Sequence, residues 1–314
     1  MALLPILFKC TGEHSAGNTQ VPIVLTTAPD SLELFAPGRI STGLYERDIA
    51  IAPDGNEIIF TLGDYKQLNR NLVSIRRVGA EWGEKRILSF SGPWHDIEPF
   101  ITPDGRRLFF ASTRPVQGDT TRKDYNLWMA ERQGNSWGMP VPLDTVINSK
   151  GDEYYPSVSR NGNLYFTAVR ADGIGKEDIF VSRYIDDTYQ KPEPLDSTIN
   201  TGTYEFNAYI SPDEDLLIFG SYGRPDDLGG GDLYESHRSA DGTWTTAKHF
   251  DAPVNSPKLD YCPFIDFSHG VFYFTSERVI VRGANSLEEF IENADLPGNG
   301  LGDIYRISVE HMIQ

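Results

Sequence analysis

Five carboxylic acids recur at one point of a repeated phrase in this chain: Glu46, Asp96, Glu153, Glu205 and Asp260. Four arginines, Arg114, Arg170, Arg224 and Arg278, mark a second point, and Asn71, Asn126, Asp178, Asp232 and Asp303 mark a third. Two chemistries fit such a set. A ring of carboxylates can hold a metal ion or a cationic group. Alternatively, each acid pairs with an arginine and each Asx side chain closes a turn, so that the set fastens loops to one another. Regular recurrence favours fastening, because the arginines would neutralise a carboxylate ring.

Residues that break the repetition are the better guide to function. Trp94-His95 leads into Asp96 and Glu98 at a place where the other repeats have no histidine. Tyr45, Tyr154, Tyr204 and Tyr261 each stand beside an acid of the repeated set, and such aromatic surfaces stack sugars or peptides. Asp226, Asp227 and Asp232 lie in a glycine-rich stretch, the residue types that wrap Ca²⁺, although their spacing matches no EF-hand loop and glycine-rich hairpins give the same pattern. The histidines have no metal-ligand spacing, and no Gly-x-Ser-x-Gly elbow occurs. The candidate ligand-binding set is therefore Trp94, His95, Asp96, Glu98, Glu153, Tyr154, Glu205, Asp260 and Tyr261 with Arg114, Arg170, Arg224 and Arg278; no catalytic residue is nominated.

The elements that must position these residues are short strands. Turns at Pro53-Asp54-Gly55, Pro103-Asp104-Gly105, Arg160-Asn161-Gly162, Pro212-Asp213-Glu214 and Ser268-His269-Gly270 are spaced 50, 57, 52 and 56 residues apart at their third positions. Each turn is followed by an apolar, aromatic run such as residues 163–169 (NLYFTAV), then by an Asx-led run such as 178–184 (DIFVSRY), then by a segment such as 192–200 (PEPLDSTIN). Runs of this kind, punctuated by Asn-Gly or Asp-Gly, are antiparallel strands joined by hairpins. A period near 50 residues filled with four strands is a propeller blade. The fifth repeat stops after its third strand, and residues 32–41 (LELFAPGRIS) supply the missing one from the other end of the chain. The sequence thus predicts an all-β, five-bladed propeller in residues 21–314, with the last blade closed by the N-terminal strand. The acids, arginines and Asx residues should meet on one rim. The loop at residues 277–302 projects from that rim, with Ser286 and Glu289 forming a capping box ahead of a helical turn; it could serve as a lid or pack over its neighbour.

Acidic-x-x-Pro, then Ser/Thr-Pro-Asp-Gly, then Phe-x-Ser/Thr-x-Arg, then Asp-Ile-Tyr resembles the WD-like repeat of TolB-type propellers over roughly residues 45–309. The resemblance implies the fold and an exported protein. It leaves function open among scaffolds, peptidase propellers and polysaccharide lyases.

Net charge is −17 with no basic run, which argues against nucleic acid and anionic lipid as partners. No segment approaches the ~20 apolar residues of a membrane-spanning helix. Residues 1–20 read as a signal-like segment or tail. The apolar run before Cys10 is similar to the end of a bacterial lipoprotein signal, although it is short and Lys9 stands where a small residue is expected. A periplasmic or cell-surface protein with a lipid anchor at Cys10 is the corresponding expectation. The functional expectation is a protein- or glycan-binding module acting through the rim, with a carbohydrate-active hydrolase or lyase at the channel mouth as the competing class.

Overall fold

The computed structural model describes residues 21–312, so Cys10 and the apolar run before it lie outside the described residues. Five four-stranded antiparallel blades form a β-propeller. Their innermost strands are Tyr45–Ile51, Asp96–Ile101, Glu153–Val158, Tyr204–Ile210 and Asp260–Asp266. Among the described residues no helix is long and apolar enough to cross a membrane.

Second strands carry the core. Phe60, Phe110, Phe166, Phe219 and Phe274 occupy the same register in successive blades, and all are buried. Each is pressed between its own blade and a neighbour, which explains the continuous apolar runs in place of alternation. Full burial of one such ring is worth roughly 1.5–3 kcal/mol.

The fifth blade is closed as the sequence predicts. Glu33–Leu34 pairs antiparallel with Asp303–Ser308, in register Glu33 to Arg306 and Leu34 to Tyr305. Phe35 N adds one more ladder bond to Ile304 O at 2.8 Å, and Phe35 is fully buried against Tyr273.

Fourth strands are much shorter than the sequence suggests. In the third blade only Glu193–Pro194 is paired, not the whole of residues 192–200. A side chain completes the ladder instead. Asn200 Oδ1 accepts from Ile179 N at 2.9 Å, while its Nδ2 donates to Ile179 O at 3.0 Å and Leu195 O at 2.8 Å. Asn148 and Asn255 make the same three bonds in blades two and four. The apolar-Asn ending of these three repeats is thus a clasp that substitutes for strand backbone, and in blade one Ser91 Oγ makes one bond of the kind, accepting from Leu72 N at 3.1 Å.

The hairpin turns opposite the rim use left-handed residues, Gly55 and Gly105 among them, at φ 67° and 71°. The fourth turn has Glu214 there at φ 59°. Its buried carboxylate accepts from Ser159 Oγ at 2.7 Å, Tyr165 OH at 3.1 Å and Arg238 Nη1 at 2.9 Å, tying the third blade to the fourth. These bonds offset the strain of a side chain in the left-handed region, of order 1–3 kcal/mol.

Candidate functional site at the channel mouth

The recurring acids and arginines meet at one rim, but they lie within the blades. Asp96, Glu153, Glu205 and Asp260 are fully buried and pair with Arg114, Arg170, Arg224 and Arg278 at 2.6, 3.1, 3.1 and 2.7 Å. Each guanidinium also donates to a carbonyl in the segment that follows the preceding blade's fourth strand: Phe90, Ile147, Ile199 and Val254. Each sits against two or more aromatic rings, as Arg170 does over Phe166 and Phe180. These eight candidates suture successive blades and leave no open face to a ligand. Glu46 has no arginine; it accepts from Thr42 N at 2.9 Å, and burial pushes its carboxyl up.

The calcium candidates are likewise engaged, by the loop that carries them and by the third and fourth strands beside it. Asp226 accepts from Tyr234 OH at 2.9 Å, Asp227 from Gly223 N and Gly229 N at 2.8 Å, and Asp232 from His249 Nε2 at 2.9 Å. Among the described residues no group of three or more His, Cys, Asp or Glu could hold a metal ion.

A cleft opens just inside this rim, around the channel axis. Its geometry starts from a bulge in every innermost strand, where the pairing register shifts. The bulge puts one residue per blade in the left-handed region: Asp48, Glu98, Tyr155, Asn207 and Cys262, at φ 61°, 60°, 48°, 51° and 54°. None is glycine, and no two are alike. Three of these backbone amides are held by the second strand of the preceding blade: Thr275 Oγ1 accepts from Asp48 N, Thr61 Oγ1 from Glu98 N and Thr167 Oγ1 from Asn207 N. The equivalent positions in blades two and four are Ala111 and Gly220, which have no hydroxyl. Facing Ala111, Tyr155 N donates instead to Glu98 Oε2 at 2.7 Å. At Gly220 a Cβ would stand 2.5 Å from the Phe206 ring, so the glycine makes room for Phe206.

Two further sets of equivalent positions complete the walls. Directly before each bulge residue come Arg47, Ile97, Tyr154, Phe206 and Tyr261; before each third-strand Asx come Arg70, Tyr125, Glu177, Gly231 and Gly302. The cleft, about 290 Å³, is lined by Arg47, Arg70, Ile97, Glu98, Tyr125, Tyr154, Thr167, Glu177, Phe206 and Asn207. An adjoining space of about 360 Å³ shares Arg47, Glu177, Phe206 and Asn207 with it and extends to Tyr204, Tyr222 and Tyr261.

Electrostatics distinguish the groups. Arg47 grips Asp48 through Nε at 2.7 Å and Glu98 through Nη2 at 2.8 Å, with Tyr261 beneath it. Burial nevertheless outweighs the pull of Arg47 and raises the Glu98 carboxyl to about 7. Glu177 is also raised to about 7, by burial and then by the charge of Asp152. Burial pushes the Cys262 thiol up, so it is not poised as a nucleophile.

Of the sequence candidates, Glu98 and Tyr154 line the cleft and Tyr261 lines the adjoining space. His95 stands behind it, with Nδ1 3.4 Å from Tyr125 OH, and Trp94 is half-buried outside it. The sequence reading passed over Arg47, Asp48, Arg70, Tyr125, Glu177, Phe206, Asn207 and Cys262. They carry a signal all the same: the bulge residue differs in all five blades, and each of the other two registers holds four residue types among five blades.

The 277–302 loop forms the expected capped helix, Leu287–Ala294, with Ser286 Oγ accepting from Glu289 N at 3.1 Å and Glu289 accepting from Asn285 N at 2.7 Å. It packs over its neighbour, where Asn299 Nδ2 reaches Gly43 O and Tyr45 OH reaches Glu277 and Tyr261. No helix residue lines the cleft.

No protein-family model and no curated protein matches the sequence. Solved structures do. A puromycin-hydrolyzing peptidase of Mycobacterium tuberculosis is similar at 12% identity and TM-score 0.43, over 83% of this chain and 42% of that one, so the chain spans less than half its length. A GH43 endo-arabinanase from Bacillus licheniformis is similar at 11% identity and TM-score 0.49, over 84% of this chain and 93% of that one. The α-L-arabinofuranosidase PaAbf62A from Podospora anserina, in complex with cellotriose, is similar at 11% identity and TM-score 0.49, over 90% and 94%. Likenesses at these values carry no activity across to this chain.

Proposed function

We propose that this propeller is a saccharide-binding protein whose site is the cleft at the channel mouth. The observation that carries the reading is that the bulge residue differs in every blade, Asp48, Glu98, Tyr155, Asn207 and Cys262, while the fasteners around the bulges repeat, and that Glu98 and Asn207 of this set line the cleft. Tyrosine rings beside amide, carboxyl and guanidinium groups suit the apolar faces and hydroxyl edges of sugars. A cleft of about 290 Å³ is at the scale of small-ligand sites. A protein partner would instead need a surface of about 800 Å² on each side. The TolB-type resemblance and export belong to the same proposal, since an exported protein meets free polysaccharide.

The test is calorimetric titration with a panel of plant and bacterial oligosaccharides. Tyr154→Ala should weaken the best ligand at least about tenfold at a temperature where circular dichroism shows the variant folded; undiminished affinity would sink the site.

One observation favours a second reading, a hydrolase or lyase. Glu98 and Glu177 face one cleft and both are raised to about 7, the condition that lets a carboxyl serve as acid and as base near neutrality. Release of sugar from a polysaccharide panel, abolished by Glu98→Gln and Glu177→Gln, would establish it; no cleavage rejects it.

A further inference from the structure

The cleft holds two guanidinium groups, and they are in opposite states. Arg47 is fully engaged by Asp48 and Glu98. Arg70 forms no ion pair and no side-chain hydrogen bond among the described residues, and its Nε is buried without a partner. It lies over the Tyr125 ring, 5.7 Å from the guanidinium carbon, and its charge acts on Glu98 without a hydrogen bond between them. Other arginines, such as Arg77 and Arg107, also lack a carboxylate partner, but Arg70 combines that with a place in the cleft wall and a buried, unpartnered Nε. The arginines of the blade sutures each have a carboxylate, as do Arg76 and Arg132 on Glu57 and Arg183 and Arg238 on Glu214. A buried, charged donor without an acceptor is costly in the free protein. A planar fork facing a cleft matches a carboxylate bidentately.

We infer that the saccharide bound here is acidic, a uronic acid unit whose carboxylate is held by Arg70 while its ring lies against Tyr125 and Tyr154. The inference rests on the saccharide reading above and narrows it. Glu177 and Asn207, on the opposite wall, are left for the sugar hydroxyls. The groups that face Arg70 are compatible with an anion. Glu98 is tied to Arg47, and burial holds both Glu98 and Glu177 near the point of losing their charge at neutral pH.

The experiment uses three uronate trisaccharides, with gluco, galacto and manno skeletons, each paired with the neutral trisaccharide of the same skeleton. Affinities are measured by calorimetry at pH 7. At least one uronate should bind tenfold or more tightly than its neutral counterpart. Arg70→Gln should bring that pair to within about twofold, with the larger loss falling on the uronate. Arg70→Lys, which keeps the charge but not the fork, should retain part of the preference; both variants are checked for an unchanged melting temperature. Equal or tighter binding of the neutral sugar in all three pairs, or a preference that survives Arg70→Gln, overturns the acidic ligand and leaves the saccharide reading standing. Binding of none of the six overturns both.

Discussion

Replacing Arg114 by Met tests whether the repeated ion pairs hold the ring together. The guanidinium donates to Asp96 through Nε at 3.1 Å and Nη2 at 2.6 Å, and to Phe90 O at 2.7 Å, while Phe90, Phe110 and Trp128 surround it at 5.2–5.8 Å. Methionine keeps much of the contact with those rings and removes the charge. Asp96, fully buried, is then left with Ser112 Oγ at 2.6 Å. Orphaning one partner of a buried pair costs about 3–5 kcal/mol. At about 2–4 °C per kcal/mol for a domain approaching this size, the melting temperature should fall on the order of 10 °C. Adding Asp96→Asn to Arg114→Met removes the stranded charge and should recover about 2 kcal/mol. The first blade is the natural control, since Glu46 is held by Thr42 without any arginine. The assay is urea unfolding followed by tryptophan fluorescence and circular dichroism. A loss below about 1 kcal/mol for the single variant, or a double variant no better than the single, would refute the suture as a stabilising element.

Other outcomes follow from the same structure. Phe35→Ala empties a fully buried site on the closing strand and should cost about 3–5 kcal/mol by chemical denaturation; a loss under 1 kcal/mol would mean that the closing strand contributes little. Asn200→Ala leaves Ile179 N, Ile179 O and Leu195 O without their clasp and should cost about 2–4 kcal/mol, with faster amide exchange at Ile179 as the local readout. For pH, Glu177 and Asp303 both have carboxyls raised to about 7, chiefly by burial, against about 4 when unfolded. A raised group contributes stability that is full below its unfolded value and is lost as pH climbs through 7. Glu177→Gln should therefore flatten the decline in melting temperature between pH 5 and 8; an unaltered slope contradicts the raised value.

The blade count and the stitched fifth blade were legible because turn residues and strand runs are set by local backbone chemistry, which a repeat writes out five times. Asp96 with Arg114, and the other three pairs, were legible as fasteners for the same reason. The fourth strands were overread, since in Glu193-Pro194 and its equivalents two residues pair and an asparagine side chain does the rest. The cleft was the least legible part. Arg70, Glu177 and Asn207 lie far apart in sequence, and the fold brings them together through positions where no motif recurs. Glu98 was found only because it lies near Asp96.

The alternation of Thr61, Ala111, Thr167, Gly220 and Thr275 has a consequence for how such a ring acquires direction. With a hydroxyl in every blade, each neighbouring amide would be served locally and the five bulges would be interchangeable. Taking the hydroxyl away at residue 111 hands the amide of Tyr155 to Glu98, which must lean across the seam to reach it. The carboxylate is thereby aimed by a residue it does not touch, in a strand outside the channel. The want of one hydroxyl at residue 111 thus gives the ring a polar direction, while the bulge in the backbone is the same in every blade.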